Sequence, residues 1–171
     1  MSPKQGGGRR RWGREIRGLL ADFPRQYAAL QHAMDEFGPD FDLRAFKRAF
    51  AETEDMDVYG RVQLVEHAIT RVQTYVADLA IAGAKLAALE LPTGVGGGAA
   101  ERAFSALAEA GVVDRPLVSR LTDVQRARNR IQHGYVDLSA GEVHRAAKEV
   151  SEGSMEFLRR YRPWIEPFLE N

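Results

Sequence analysis

The chain has 171 residues, of which 44% are hydrophobic, which is enough for a single soluble domain with its own core. It contains no cysteine, and this excludes a disulfide framework, a thiolate zinc site and a cysteine nucleophile. Lysine plus arginine and aspartate plus glutamate number 24 each, so attraction to a polyanion must come from local clusters of charge.

The first stretch, MSPKQGGGRRRWGR, is basic and rich in glycine. No apolar core of a signal peptide follows it, and no run approaches the length of a membrane span. We therefore predict a flexible basic tail over 1–12 and a cytoplasmic protein that does not enter a membrane. Two arginine clusters are candidates for polyanion binding: Arg9 to Arg14, and Arg126 with Arg128 and Arg130. A disordered tail and a solvated helix face are the ordinary explanations of such clusters.

Apolar residues recur at helical spacing along nearly the whole chain, and we predict an all-α protein. A first helix is expected over about 12–37, kinked or split at Pro24. Asp42 is placed to cap a short second helix. These two segments form a predicted N-terminal helical extension, 13–55.

The remainder, 56–171, is predicted as the core domain. It begins with a long helix over about 58–89, followed by the glycine-rich break PTGVGGG and a short helix with Gly111 at its C-terminal end. Asp114 and Pro116 mark the start of the next helix, which runs to about residue 133. Ser139 and Glu142 form a capping box for a last helix that Pro163 and Pro167 are expected to stop. This pattern predicts an antiparallel helical bundle of about five helices.

The segment RARNRIQHGYVD gathers chemistry-bearing side chains at a junction between two helices. On one continuous helix, however, Arg128 and His133 stand about 140° apart. Either Gly134 and the end of the helix redirect His133, or both residues meet their counterparts from a second copy across a two-fold axis. The spacing leaves both arrangements open.

Such residues suit RNA cleavage without a metal. A neutral imidazole such as His133 takes the proton of a ribose 2′-hydroxyl, and a protonated one donates to the leaving oxygen. Arg128 would stabilise the charge of the transition state, Asn129 would hold a phosphate oxygen or orient the imidazole, and Arg126 and Arg130 would bind RNA. The spacing alone favours a plainer explanation, in which these are surface and capping residues.

Metal chemistry has little support in the sequence. The other histidines lie singly on helical patterns, without a partner at metal-ligand spacing; they are His32, His67 and His144. We therefore expect neither a metal nor a cofactor.

The stretch from Arg128 to Tyr135 matches the RX4HXY form of the HEPN motif, and it resembles the HepT toxins of HepT/MntA toxin–antitoxin pairs. VEHAITRVQTYVADLA resembles the long early helix of that family, and AFSALAEAGVVDRPLVSRLTDVQRARNRIQHGYVD resembles the segment that leads into the motif. The similarity covers about 58–162 and does not extend to the first fifty or so residues.

The resemblance implies a HEPN-like bundle that forms a homodimer, with a composite endoribonuclease site built from Arg128 and His133 and supported by Asn129. It also implies that a minimal nucleotidyltransferase antitoxin, similar to MntA, silences the toxin by attaching AMP to Tyr135. We therefore expect an endoribonuclease toxin of a type VII-like system, acting on single-stranded or tRNA-like RNA by 2′-hydroxyl attack.

Two alternatives remain open at this point. In the first, the chain is a non-catalytic HEPN module whose binding partner is RNA or a nucleotidyltransferase. In the second, it is a helical protein whose whole function is its dimerisation or interaction surface.

Overall fold

The computed structural model describes residues 3–93, 97–133 and 138–170. Within these ranges the chain forms six α-helices and no strand, so the predicted all-α helical bundle is confirmed. The helices are α1 (Pro3–Asp35), α2 (Leu43–Phe50), α3 (Met56–Leu86), α4 (Ala99–Glu109), α5 (Arg115–Gln132) and α6 (Ala140–Leu169). Residues 94–96 of the glycine-rich break lie outside the described part.

The helix starts and stops follow local hydrogen bonds that the sequence predicts. The side chains of Asp42 and Asp114 accept hydrogen bonds from backbone N–H groups at the starts of α2 and α5. Ser139 and Glu142 form the reciprocal capping box of α6. Gly111 has a φ of +73° just after α4, in the left-handed region that glycine adopts without strain.

The prolines inside α1 and α6 do not end either helix. α1 begins at Pro3, earlier than predicted, and it continues through Pro24 without a split. The prediction that Pro163 and Pro167 stop α6 is wrong, because this helix runs through both to Leu169. Each proline removes one intrahelical hydrogen bond. The loss is offset by packing beyond it, since Ile165 is buried and three further side chains pack against the core, namely Trp164, Phe168 and Leu169.

The helices pack around α3 with alternating directions. Side-chain contacts define these directions: Asp22–Tyr75 and Glu36–Arg61 join α1 to α3, Tyr27–Ser151 and Arg17–Leu169 join α1 to α6, and Arg120–Glu156 and Arg130–Glu142 join α5 to α6. Each of these pairs of helices is therefore antiparallel. It follows that α5 is also antiparallel to α3, so the C-terminal end of α5 lies at the same end of the bundle as the N-terminal end of α3.

One cluster of buried residues receives side chains from all six helices. Ile16, Phe23 and Leu30 of α1 belong to it, so the predicted extension shares its core with the rest of the chain. Tyr161 lies at the centre, with its hydroxyl donating to the carbonyl of Leu79 at 2.7 Å, and burial raises the pKa of this phenol well above its usual range. None of the helices in the described ranges has an apolar stretch long enough to cross a bilayer.

Candidate functional site

Arg128 is held at the contact between α5 and α3. Its side chain is half-buried, with Nη2 donating to Thr74 Oγ1 at 3.1 Å and Nη1 donating to Asn129 Oδ1 at 3.0 Å. Nε is buried and has no hydrogen-bond partner among the described residues. Such fixation distinguishes Arg128 from an ordinary solvated arginine, whose side chain is free to change rotamer.

Hydrogen bonds between amide side chains connect Asn129 of α5 to Gln73 of α3 through Gln125. Gln73 of α3 is fully buried, and its amide donates to the Leu121 carbonyl and to Gln125 Oε1, both at 3.1 Å. Gln125 in turn donates to Asn129 Oδ1 at 3.3 Å, the same oxygen that accepts from Arg128. Asn129 therefore helps to position Arg128, whereas its predicted supporting role in catalysis stays a prediction.

A carboxylate completes the surroundings of Arg128. Asp78 lies on α3 four residues after Thr74, and its side chain is half-buried. Burial is the main cause that raises the pKa of Asp78; the charge of Glu15 on α1 raises it further, and the guanidinium of Arg128 lowers it. Asp78 therefore lies within electrostatic range of both Glu15 and Arg128, and the three groups belong to three different helices.

The sequence analysis did not predict that residues of α3, namely Gln73, Thr74 and Asp78, belong to this site. One signal was present: Gln73 occupies an apolar position of the helical stripe that contains Ile69, Val72 and Val76. A polar residue at a core position requires hydrogen-bond partners, and it points to a polar network. Thr74 and Asp78 carry no comparable signal, since threonine and aspartate are ordinary residues for a helix surface.

His133 is the C-cap of α5, and its side chain is exposed. The backbone remains close to helical here, with φ −87° and ψ 3° and with the His133 N–H donating to the Asn129 carbonyl. Helical geometry therefore places His133 about 140° from Arg128 around the axis, and α5 of one chain does not bring the two side chains onto one face. Gly134 and Tyr135 lie outside the described residues.

Arg126 and Arg130 lie on the side of α5 opposite to Arg128, about 160° away around the helix. Arg126 is 3.7 Å from the carboxylates of Glu101 and Asp123, and Arg130 is 2.8 Å from Glu142. Both arginines line a groove of about 170 Å³ between α5 and α6. The cluster that looks continuous in sequence is thus divided between two faces.

An exposed strip runs along the N-terminal half of α3. Helical spacing places its members on one side of the helix, and we call them the α3 strip: Met56, Tyr59, Gln63, Leu64 and His67. Met56 is 70% exposed and Leu64 is 56% exposed, which is high for side chains of this size. Thr74 and Asp78 continue the same side of α3, so the strip leads directly to the surroundings of Arg128.

No arrangement of three or more histidine, cysteine, aspartate or glutamate side chains suited to a metal ion is present in the described ranges. Comparison with known proteins found no matching family model, no similar curated protein and no similar solved structure. The relation to HEPN proteins therefore stays a prediction that depends on the motif around Arg128 and His133.

Proposed function

We propose that this protein is a HEPN-type endoribonuclease, similar to HepT toxins, that cleaves RNA without a metal. The observation that carries the proposal is the fixed guanidinium of Arg128, which is oriented by the hydrogen bonds that it donates to Thr74 and Asn129. Donors that are oriented before the reaction stabilise developing charge without reorganisation, and they contribute several kcal/mol in a site that excludes water.

The chemical step requires two imidazoles and a guanidinium. One His133 accepts the proton of a ribose 2′-hydroxyl, the oxygen attacks phosphorus, and a 2′,3′-cyclic phosphate forms. The 5′-oxygen leaves with a proton from a second, protonated His133. Arg128 stabilises the extra negative charge on the phosphorane-like transition state.

A homodimer supplies the second imidazole. Since α5 separates Arg128 from His133 within one chain, a composite site between two copies is the arrangement that we propose. The α3 strip is a suitable contact surface, because it exposes apolar side chains at the same end of the bundle as His133 and continues to Arg128. A two-fold axis near this strip would bring the two copies of the motif together.

Tyr135 gives the proposed site a means of regulation. It belongs to the same motif as Arg128 and His133, and AMP attached to its hydroxyl would add a bulky anion that repels RNA phosphate. A minimal nucleotidyltransferase antitoxin similar to MntA is the proposed modifying partner. Arg126 and Arg130 would bind RNA from the other side of α5 if phosphate displaces their carboxylate partners.

The test compares growth arrest and RNA integrity on expression of the wild type, Arg128→Ala and His133→Ala. Arg115→Ala at the start of α5 and His32→Ala on α1 are matched controls, since both remove the same side-chain types from exposed positions outside the motif. We expect the two motif variants to abolish arrest and cleavage, and the controls to retain both. Cleavage by purified protein should persist in a chelator.

Other outcomes select the alternatives. Purified protein that binds RNA but leaves it intact would identify a non-catalytic HEPN module. Normal growth on expression of the wild type without a partner would favour a helical interaction protein. Cleavage by both motif variants at the wild-type rate would refute the proposed mechanism.

A further inference from the structure

A cavity of about 500 Å³ lies between α1 and α6. Its described lining residues are Phe23, Pro24, Tyr27, Met155, Leu158, Arg159, Arg162 and Pro163. Phe23 and Leu158 are buried, and the lining is mainly apolar apart from two arginines. Cavities that bind small molecules measure about 300–1,000 Å³, and they combine apolar walls with a few polar groups. The size and the lining of this cavity therefore suit a small organic ligand.

The walls of the cavity expose apolar surface from both helices. Pro24 of α1 and Pro163 of α6 are exposed, and each ring is fixed to its backbone, so neither can rotate to fill the space. Met155 is 47% exposed, and the flexible thioether of methionine adapts to the shape of a bound molecule. Covering these side chains with an apolar ligand removes their surface from water, which favours binding.

Two arginines of α6 supply positive charge at this cavity. Arg159 and Arg162 are exposed, and neither forms a hydrogen bond or an ion pair with another residue in the described ranges. Arg160, which does not line the cavity, is instead paired with Asp114 and Glu156. Residues three positions apart are neighbours on one face of a helix, so the side chains of Arg159 and Arg162 can reach the same anion.

We propose that this cavity binds a small hydrophobic carboxylate, with its apolar body between α1 and α6 and its charged end between Arg159 and Arg162. The two oxygens of a carboxylate can each accept charge-assisted hydrogen bonds from one guanidinium group. No carboxylate is present among the lining residues that the structure describes, so the cavity itself offers the two arginines no competing anion.

The ligand would leave the Arg128 site open. None of the described lining residues belongs to α3 or α5, whereas Arg128 lies at the contact between these two helices. The inference therefore goes beyond the proposed nuclease and does not rest on it.

Calorimetric titration of the full chain with decanoate, below the concentration at which decanoate forms micelles, tests the proposal. Arg159→Gln and Arg162→Gln are combined in one variant, because glutamine keeps the helix propensity of arginine. Arg145→Gln combined with Lys148→Gln is the matched control. It removes two exposed charges at the same spacing from the same helix, outside the cavity.

We expect the variant without Arg159 and Arg162 to bind decanoate about tenfold more weakly than the wild type, because charge-assisted hydrogen bonds are lost. The control variant should keep the wild-type affinity. Decanol, which has the same chain without the charge, should bind the wild type and the arginine variant equally. Octanoate is two methylene groups shorter and should bind the wild type about fifteenfold more weakly than decanoate, since each buried methylene group contributes about fourfold.

Met155→Gln tests the apolar wall separately. Glutamine has a similar length and helix propensity, but its amide loses water when a ligand covers it. This variant should therefore bind both decanoate and decanol more weakly, whereas the arginine variant weakens decanoate alone. Unchanged binding of both ligands to Met155→Gln would place the chain of the ligand elsewhere and overturn the proposal.

Three other results would also overturn it. The first is an absence of decanoate binding to the wild type, and the second is an equal loss in the arginine variant and its control, with equal helix content by circular dichroism. The third is a different occupant in place of decanoate. Binding to phosphatidylglycerol vesicles that requires Arg159 and Arg162 would indicate a membrane surface, and a dimer that dissociates in the arginine variant would indicate a second copy of the chain.

Discussion

Gly83 of α3 is the position where a single methyl group tests the packing most directly. A Cβ atom added there would lie 2.8 Å from Cε2 and 3.0 Å from Cζ of Tyr161, and closer still to the hydroxyl oxygen. Tyr161 cannot easily withdraw, since it is fully buried, stacks on Phe157 with ring centroids 5.0 Å apart and donates to Leu79 at 2.7 Å.

The expected magnitude follows from three effects. Overpacking a core costs about 1–3 kcal/mol, and loss of the buried hydrogen bond between Tyr161 and Leu79 adds about 1–3 kcal/mol. The higher helix propensity of alanine offsets about 1 kcal/mol of this loss in stability. We therefore expect Gly83→Ala to lower the free energy of unfolding by about 1–5 kcal/mol, with a decrease in Tm of roughly 2–20 °C for a chain of this size.

Gly60→Ala provides the matched control, because it makes the same substitution in the same helix where no atom lies within 4 Å of the added Cβ. This variant should be stabilised by up to about 1 kcal/mol. Chemical denaturation followed by circular dichroism measures both changes. Tyr161→Phe removes the hydroxyl that the new methyl group meets first. The double variant Gly83→Ala/Tyr161→Phe should therefore lose less stability than the sum of the losses in the two single variants. A Gly83→Ala protein as stable as Gly60→Ala would refute the close packing of Tyr161 against Gly83.

Three further predictions concern the polar groups. The pKa of Glu142 is lowered from 4.5 to about 2, chiefly by the hydrogen bond from the Ser139 backbone and then by Arg130. The ionised carboxylate therefore stabilises the fold above pH 4.5, and this contribution is lost as the pH falls towards 2. Glu142→Gln retains the capping box, so the difference in Tm from the wild type should vanish over that pH range, and a constant difference would contradict the assignment. Thr74→Val removes an acceptor from Arg128 and should lower the free energy of unfolding by about 1 kcal/mol, whereas Thr70→Val should have little effect in the same denaturation assay. Gln73→Leu removes a buried amide whose Oε1 has no partner, so the free energy of unfolding should stay equal or rise. The rate of RNA cleavage should fall about tenfold, which corresponds to ~1.4 kcal/mol in the activation free energy. A parallel loss of stability and activity would argue against a positioning role.

The sequence by itself determined the helical class and most helix starts. Asp42, Asp114 and Ser139 cap helices by accepting hydrogen bonds from the residue three positions further along the chain, and such interactions need no tertiary partner. The prolines show the limit of this local reasoning. Pro163 weakens α6 locally, yet the helix continues because the residues after it bury apolar surface against helices distant in sequence, and this burial outweighs one lost hydrogen bond.

The same distinction between local sequence and tertiary packing applies to the candidate site. Arg128, Asn129 and His133 are neighbours in the chain, so their motif was visible in the sequence, and the helical period alone indicated that Arg128 and His133 point apart. Only the packing of α5 against α3 decided that Thr74 orients Arg128 and that Asp78 lies within electrostatic range of it. The hydrogen bond between Thr74 and Arg128 joins residues 54 positions apart, and no local pattern encodes which turn of one helix meets which turn of another.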